Sequence, residues 1–282
     1  MSDDTASRPV RTGPVTLSQA AATNGVRRVV LTVSYLFCLV GALAGFGVID
    51  DQTPSLSEML TPTTSMLAPA AQSDRLWWVV MVGLGIYVVW MWLPVNIGER
   101  RGTAIAYPAS IAMGLLGVWF FVVRGGELII GAAASLAVVA ALIWTLHVAD
   151  MVPSRHFLDR LFTQLGLAVT LGWMSVLSAD TLAGALAAHH APAVYVSAET
   201  WGILGTTALL AFGMALLRYM PGRLYIACAM AWGFVYIAYA RVMSAPRAFG
   251  VAVVALVSAL LVLVAGIAVF LWARGRVRER VG

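Results

Sequence analysis

The sequence predicts an all-α integral membrane protein, a bundle of about eight transmembrane helices with little outside the bilayer. Two features of composition and one of pattern predict it. Hydrophobic residues fill 61% of the 282 positions and charged residues 11%, where a soluble domain carries about a quarter charged residues. Mean hydropathy is +0.87. The apolar residues run continuously over stretches of about 20, the length that crosses a hydrocarbon core of about 30 Å. Such runs are too long and too unbroken for the alternating strands of a membrane barrel.

Taken in order, residues 1–27 are polar, rich in Thr, Ser and Pro, and read as a disordered cytoplasmic tail. Eight apolar stretches follow at roughly 28–49, 76–95, 103–123, 127–147, 158–187, 201–217, 223–243 and 249–272. The first is too long, and too far from the start, for the apolar region of a signal peptide. A basic cytoplasmic tail, 274–282, closes the chain. The two connections of any length are 50–75, with Asp50, Asp51, Glu58, Asp74 and three prolines, and 188–200, with His189, His190, Pro192 and Glu199.

All eighteen basic residues are Arg. If the spans alternate, Arg8, Arg11, Arg27, Arg28, Arg100, Arg101, Arg155, Arg160, Arg218, Arg223, Arg274, Arg276, Arg278 and Arg280 share one side. Arg75, Arg124, Arg241 and Arg247 take the other. By the positive-inside rule this places both termini in the cytoplasm and the protein in the cell's inner membrane. Spacing singly or in pairs between apolar runs is the pattern of membrane flanks, and excludes nucleic acid as a partner.

Few residues suggest chemistry. There is no Walker loop, no dinucleotide-binding Gly motif, no zinc-protease motif and no arguable catalytic triad, so no catalytic residue and no metal ligand is assigned. Cys38 and Cys228 fall inside apolar runs and read as small buried residues. Trp77, Trp78, Trp92, Trp201 and Trp272 lie near span ends, as interfacial anchors do. Trp119, Trp144, Trp173 and Trp232 lie deeper. The fifth span carries Thr163, Gly166, Thr170, Trp173, Leu177, Asp180 and Gly184 on one face, with Trp173 and Asp180 within about 20° of each other. That face fits either close helix packing or one wall of a cavity. In the seventh span Tyr225, Cys228, Trp232, Tyr236 and Tyr239 form an aromatic stripe, open to the same two readings. Asp180 and Arg241, both near the outer ends of their helices, could pair, since charges inside a membrane usually find partners or line a wet cavity; Arg241 could instead snorkel to the interface.

Several stretches resemble one family. Ala68-Pro69, then Trp77, Gly83, Tyr87, Trp90, Trp92, Leu93 and Pro94, look like the loop and second helix of the TspO/MBR proteins, the tryptophan-rich sensory and translocator proteins. Gly117-Val118-Trp119-Phe120 is similar to the end of that family's third helix, and Leu171-Gly172-Trp173-Met174-Ser175-Val176 to its fifth-helix signature. The resemblance covers 28–190 as a five-helix core and leaves 191–273 as a three-helix extension, as in longer bacterial members.

The resemblance implies a membrane receptor, sensor or carrier for a flat apolar ligand, foremost a porphyrin or haem-like tetrapyrrole, with no cofactor required and no enzymatic activity. Trp77, Trp119, Trp144 and Trp173 would then stack the ligand face, and Ser175, Asp180 and Thr181 would give the few polar contacts. Expected partners are the bilayer and that small ligand, with a homodimer left open. The alternative is an accessory subunit that packs on a partner protein, for which the small-residue stripe of the fifth span and the Gly41-x-x-x-Gly45 spacing of the first suit helix association. A porphyrin-degrading enzyme is a third reading, with Trp173 and Asp180 as its candidates.

Overall fold

A computed structural model describes residues 17–49, 55–93, 100–152, 157–188, 197–220 and 223–279. Its helices are α1 (Leu17–Gly45), α2 (Leu56–Met59), α3 (Leu76–Trp92), α4 (Arg100–Arg124), α5 (Leu128–Met151), α6 (Phe157–Ala188), α7 (Ala198–Tyr219), α8 (Arg223–Met243) and α9 (Phe249–Glu279), with a 3-10 turn at Ala71–Arg75 leading into α3. Eight of them are long and apolar enough to cross a membrane, and the described residues contain no strand. The chain is an all-helical, multi-pass membrane protein.

The first and last helices run beyond the apolar stretches. Helix α1 starts at Leu17, inside the stretch expected to be disordered, and α9 continues through the basic residues to Glu279. Hydropathy marks where lipid ends, whereas a helix propagates until a breaker stops it. No proline stands between Pro14 and the end of α1. Residues 55–75 are likewise more than a plain loop. Within them α2 opens on a cap in which the Ser55 N–H donates to Glu58 Oε2 at 2.6 Å, and Leu56, Ala68 and Ser73 are buried. The pair His189 and His190 lies outside the described residues.

Five helices close a ring: α1 packs on α3 and α4, α4 on α5, α5 on α6, and α6 on α3. Helices α7, α8 and α9 pack on one another and join the ring mainly through α8 on α6. Helix α6 is therefore central, walled on one side by the ring and on another by α8. In lipid the hydrophobic effect does not drive helices together, so close backbone approach and van der Waals packing must hold them. Glycines mark those approaches. A Cβ on Gly166 of α6 would stand 2.7 Å from the Gly83 carbonyl oxygen of α3, and one on Gly172 would stand 2.6 Å from the Ile226 oxygen of α8. Gly41 and Gly45 of α1 face Gly117 and Phe120 of α4 in the same way. That spacing, read from sequence as a contact for a partner protein, is occupied within the chain.

Candidate functional site

The ring is filled rather than hollow. Trp77, Trp119 and Trp173 are each at most 1% exposed. Trp77 lies 5.9 Å from Trp119 and meets Trp173 edge-on at 6.3 Å, with Phe120 at 4.7 Å and Phe46 at 6.4 Å. Edge-on and tilted contacts at these distances are the favourable arrangements for aromatic pairs. All three indole N–H groups are buried without a hydrogen-bond acceptor. Each such orphan costs about 1–3 kcal/mol, so three in one cluster is an unusual concentration of unmet donors.

Trp144 departs from this arrangement. It is 50% exposed on the outer surface of α5, while its neighbour Thr145 turns inward and bonds the Ala141 carbonyl. Trp77, near a span end, turns out to be core instead of an interfacial anchor, while Trp78, Trp92, Trp201 and Trp272 are exposed. The stripe on α8 is neither sealed core nor cavity. Cys228 and Tyr239 are exposed, and the Trp232 indole ties α8 to the 3-10 turn by donating to the Ser73 carbonyl at 3.0 Å.

The face of α6 runs as its spacing suggested and extends one turn further. Asp159, Thr163, Gly166, Thr170, Trp173, Leu177, Asp180 and Gly184 are all buried. Asp159 and Asp180 are therefore on one stripe, 21 residues or about 31 Å apart along the axis, close to the thickness of the hydrocarbon core. The two acids meet opposite fates. Asp159 pairs with Arg101 Nε at 2.9 Å and accepts from the Trp90 indole at 3.1 Å. Arg101 also donates to the Ala149 and Val152 carbonyls at the end of α5. This network stitches α3, α4, α5 and α6 together at the end of the bundle opposite segment 55–75. Sequence reading missed it, because Arg101 passed for a flanking arginine. The signal available was the continuation of the α6 stripe by one more step of four residues, from Thr163 back to Asp159.

Asp180 has no such partner. It is fully buried and neither carboxylate oxygen makes a hydrogen bond of good geometry, although the Ser65 hydroxyl, Arg241 and Asp74 are the polar groups around it. The ion pair with Arg241 does not form. Arg241 is also fully buried, but its guanidinium donates to the Pro62 carbonyl at 2.8 Å and the Pro246 carbonyl at 3.1 Å. It thereby fastens segment 55–75 to the α8–α9 turn. A cavity lined by Leu56, Leu60, Pro69, Ala71, Asp74, Leu177 and Asp180 lies beneath that segment. It has about 10 Å³ of room for water centres, the space of a single water.

Of the expected polar contacts, Asp180 alone faces this cavity. Thr181 turns to α5, where its hydroxyl meets Ser135 at 3.2 Å and donates to the Leu177 carbonyl. Ser175 lies about 160° around α6 from Trp173 and donates to the Leu171 carbonyl of its own helix. Arranged by depth, the site has segment 55–70 as a cover, the carboxylates of Asp74 and Asp180 beneath it, and the three indoles one to two turns further in.

No curated protein and no solved structure matches this chain. The pieces that carry the family resemblance nevertheless hold specific places: Gly83 makes the α3–α6 approach, Trp90 caps Asp159, and Trp77, Trp119 and Trp173 form the ring's centre. The sequence profile of the TSPO-like proteins matches residues 28–270, through the five-helix ring and the three further helices alike, and the chain belongs to that family.

Proposed function

We propose that this membrane protein binds a flat, largely apolar ligand between segment 55–70 and the indoles of Trp77, Trp119 and Trp173, and acts in sensing or carriage instead of catalysis. A tetrapyrrole is the ligand that the family resemblance implies. The observation that carries the reading is the set of unmet polar groups at one place: three buried indole donors and the two oxygens of Asp180. Proteins rarely leave such groups unsatisfied unless function requires them, and a mostly apolar pocket with a few polar groups is the usual form of a small-molecule site.

In the closed arrangement described above there is room for one water, so a ligand of this size enters when segment 55–70 lifts and Arg241 releases the Pro62 carbonyl. The orientation that fits the arginine distribution places this entrance on the outer face of the cytoplasmic membrane, with both termini in the cytoplasm.

The test is quenching of tryptophan fluorescence by protoporphyrin IX in detergent. Saturable quenching that weakens at least severalfold in Trp173→Phe, a change that keeps an aromatic ring at the position, supports the reading. Quenching no greater than that of an unrelated membrane protein with equal tryptophan content, or unaffected by Trp173→Phe, removes it. For the accessory-subunit reading, Gly41 and Gly45 pack on α4 and Gly166 of the small-residue stripe packs on Gly83, so these contacts are used within the chain.

A further inference from the structure

One charged side chain under the cover comes from α8, outside the five-helix ring: Arg241. We propose that Arg241 is the seat for a carboxylate of the flat ligand, which takes the guanidinium from the Pro62 carbonyl and so releases segment 55–70. This rests on the binding reading above and adds to it the group that is recognised and the latch that it works.

Charge comes first. A guanidinium keeps its charge in any protein surroundings. Arg241 is 0% exposed, yet the acceptors it meets among the described residues are neutral: the carbonyls of Pro62 and Pro246 and the sulfur of Met66. A buried cation held by neutral acceptors alone lacks the compensation that an anion in contact gives it. Asp180 lies near enough to feel that charge but closes no ion pair with it. A carboxyl in such a place can hold a proton, and in that form it donates to an incoming anion instead of repelling it. Arginine does not have that option, so the demand left unmet is for negative charge.

The donors of the guanidinium then decide which anion. Nη2 donates to the Pro62 carbonyl at 2.8 Å and Nη1 to the Pro246 carbonyl at 3.1 Å. Nε, which shares one edge of the guanidinium plane with Nη2, is buried and has no acceptor. A single carbonyl oxygen thus fills half of a two-donor edge. A carboxylate has two oxygens at the spacing of that edge and forms the side-by-side pair to which arginine is suited. In the place of Pro62 it satisfies Nε as well, while Nη1 keeps its bond to Pro246 and holds the side chain still. The exchange replaces one bond to a neutral oxygen with two to a charged group. It also frees Pro62, whose segment covers the cavity.

Reach sets the shape of the ligand. Helix α8 runs beside α6 in the same direction, since Gly172 approaches Ile226 and Ala229, and Val176 approaches Gly233. In that register Arg241 stands about twelve residues beyond the level of Trp173, roughly 18 Å of helix rise. The arginine side chain covers part of that distance if it turns inward. A flat ring stacked on the indoles covers the rest only if its carboxylate stands off on an alkyl arm. The chemical class is therefore a broad planar ring with carboxylate-bearing arms, its face on the ring helices and its charge on α8. Recognition shared in this way gives the three-helix extension a part in the site.

Protoporphyrin IX and its dimethyl ester separate the cases, because they share one flat ring and differ in the charge of their carboxyl arms. Binding of each to the full chain in nanodiscs of neutral phosphatidylcholine is followed by tryptophan quenching, with empty nanodiscs as the correction for partitioning. The expected result is affinity for the diacid roughly tenfold or more above the ester, as one charge-assisted hydrogen bond to a buried cation provides. Arg241→Gln, which still has an N–H to offer Pro62 but carries no charge, should bring the diacid down to the ester and leave the ester unchanged or bound more tightly. An arginine that serves only as a clasp would shift both porphyrins together, and that result overturns the proposal. Arg241→Lys keeps the charge without the two-donor edge and should narrow the preference about threefold, which keeps the test alive if Arg241→Gln does not fold. Equal binding of the two porphyrins, tighter binding of the ester, or a preference that survives Arg241→Gln or, where that variant does not fold, is undiminished in Arg241→Lys overturns the carboxylate seat while leaving a flat-ligand site standing. Absence of saturable quenching by either porphyrin removes both.

Discussion

Replacing Gly166 with alanine puts the central contact of the fold and the indole cluster under one test. An alanine Cβ at this position would lie 2.7 Å from the carbonyl oxygen of Gly83, 2.9 Å from its carbonyl carbon and 3.2 Å from the Leu84 nitrogen. All three are backbone atoms, so no side chain can rotate away. Helices α3 and α6 must separate by more than about half an ångström before an ordinary van der Waals contact is restored. Overpacking of this kind costs about 1–3 kcal/mol, offset by about 0.5–1 kcal/mol from the better helix propensity of alanine. A net loss of roughly 1–2 kcal/mol is expected. The same separation draws Trp77 away from Trp173, whose rings now meet at 6.3 Å, so tryptophan emission should change in the folded state. Gly184→Ala on the same helix is the control, because nothing lies within 4 Å of its added Cβ. Thermal unfolding in one detergent, followed by near-ultraviolet circular dichroism, measures both. If Gly166→Ala melts at or above the Gly184→Ala variant, the α3–α6 approach is not the tight contact argued here.

Three further outcomes follow from the site and its supports. Asp159→Leu leaves the Arg101 guanidinium buried beside an apolar group and should cost on the order of 3 kcal/mol; the Arg101→Leu/Asp159→Leu double variant should recover part of that, and equal losses in the two would show the ion pair to be energetically idle. Arg241→Met removes two charge-assisted hydrogen bonds that hold segment 55–75, worth about 1.5–3 kcal/mol each. Amide exchange at Leu67, Ala68 and Ala70 should then quicken at least tenfold, while unchanged exchange would mean that the segment is held by packing alone. For orientation, Thr63→Cys, an exposed position in segment 55–75, in a chain with Cys38→Ser and Cys228→Ser, should react with a membrane-impermeant maleimide added outside intact cells. A C-terminal fluorescent protein should fold and fluoresce. Protection of the introduced thiol from the reagent would reverse the arrangement.

How much could be seen in advance is best judged on particular elements. The eight spans were legible because insertion into lipid is a one-dimensional property: each residue contributes its transfer free energy independently, and a window of about 20 decides the outcome. The buried face of α6 was legible for the same reason, since a period of 3.6 residues places Thr163, Trp173 and Asp180 on one side whatever lies opposite. The limits of α1 and α9 were not, because helical hydrogen bonding continues past the membrane boundary that hydropathy detects.

What surrounds a face is decided only when the helices meet. Trp119 and Trp144 both lie deep in their spans and offered no reason to separate them, yet α4 turns its indole into the ring and α5 turns its own toward lipid. Arg101 and Arg241 both resembled membrane flanks; one closed an ion pair with a residue 58 positions later in the sequence, and the other clasped a carbonyl 179 positions away. Asp180 had Arg241 as a candidate counter-ion and was left without one. By itself, the sequence determined which segments enter the membrane and which side of α6 is turned from lipid, because both follow from local transfer energies and helical periodicity. Only the tertiary structure decided which buried polar groups are satisfied, because a hydrogen bond depends on a few ångströms of separation between atoms that the chain brings together from distant positions.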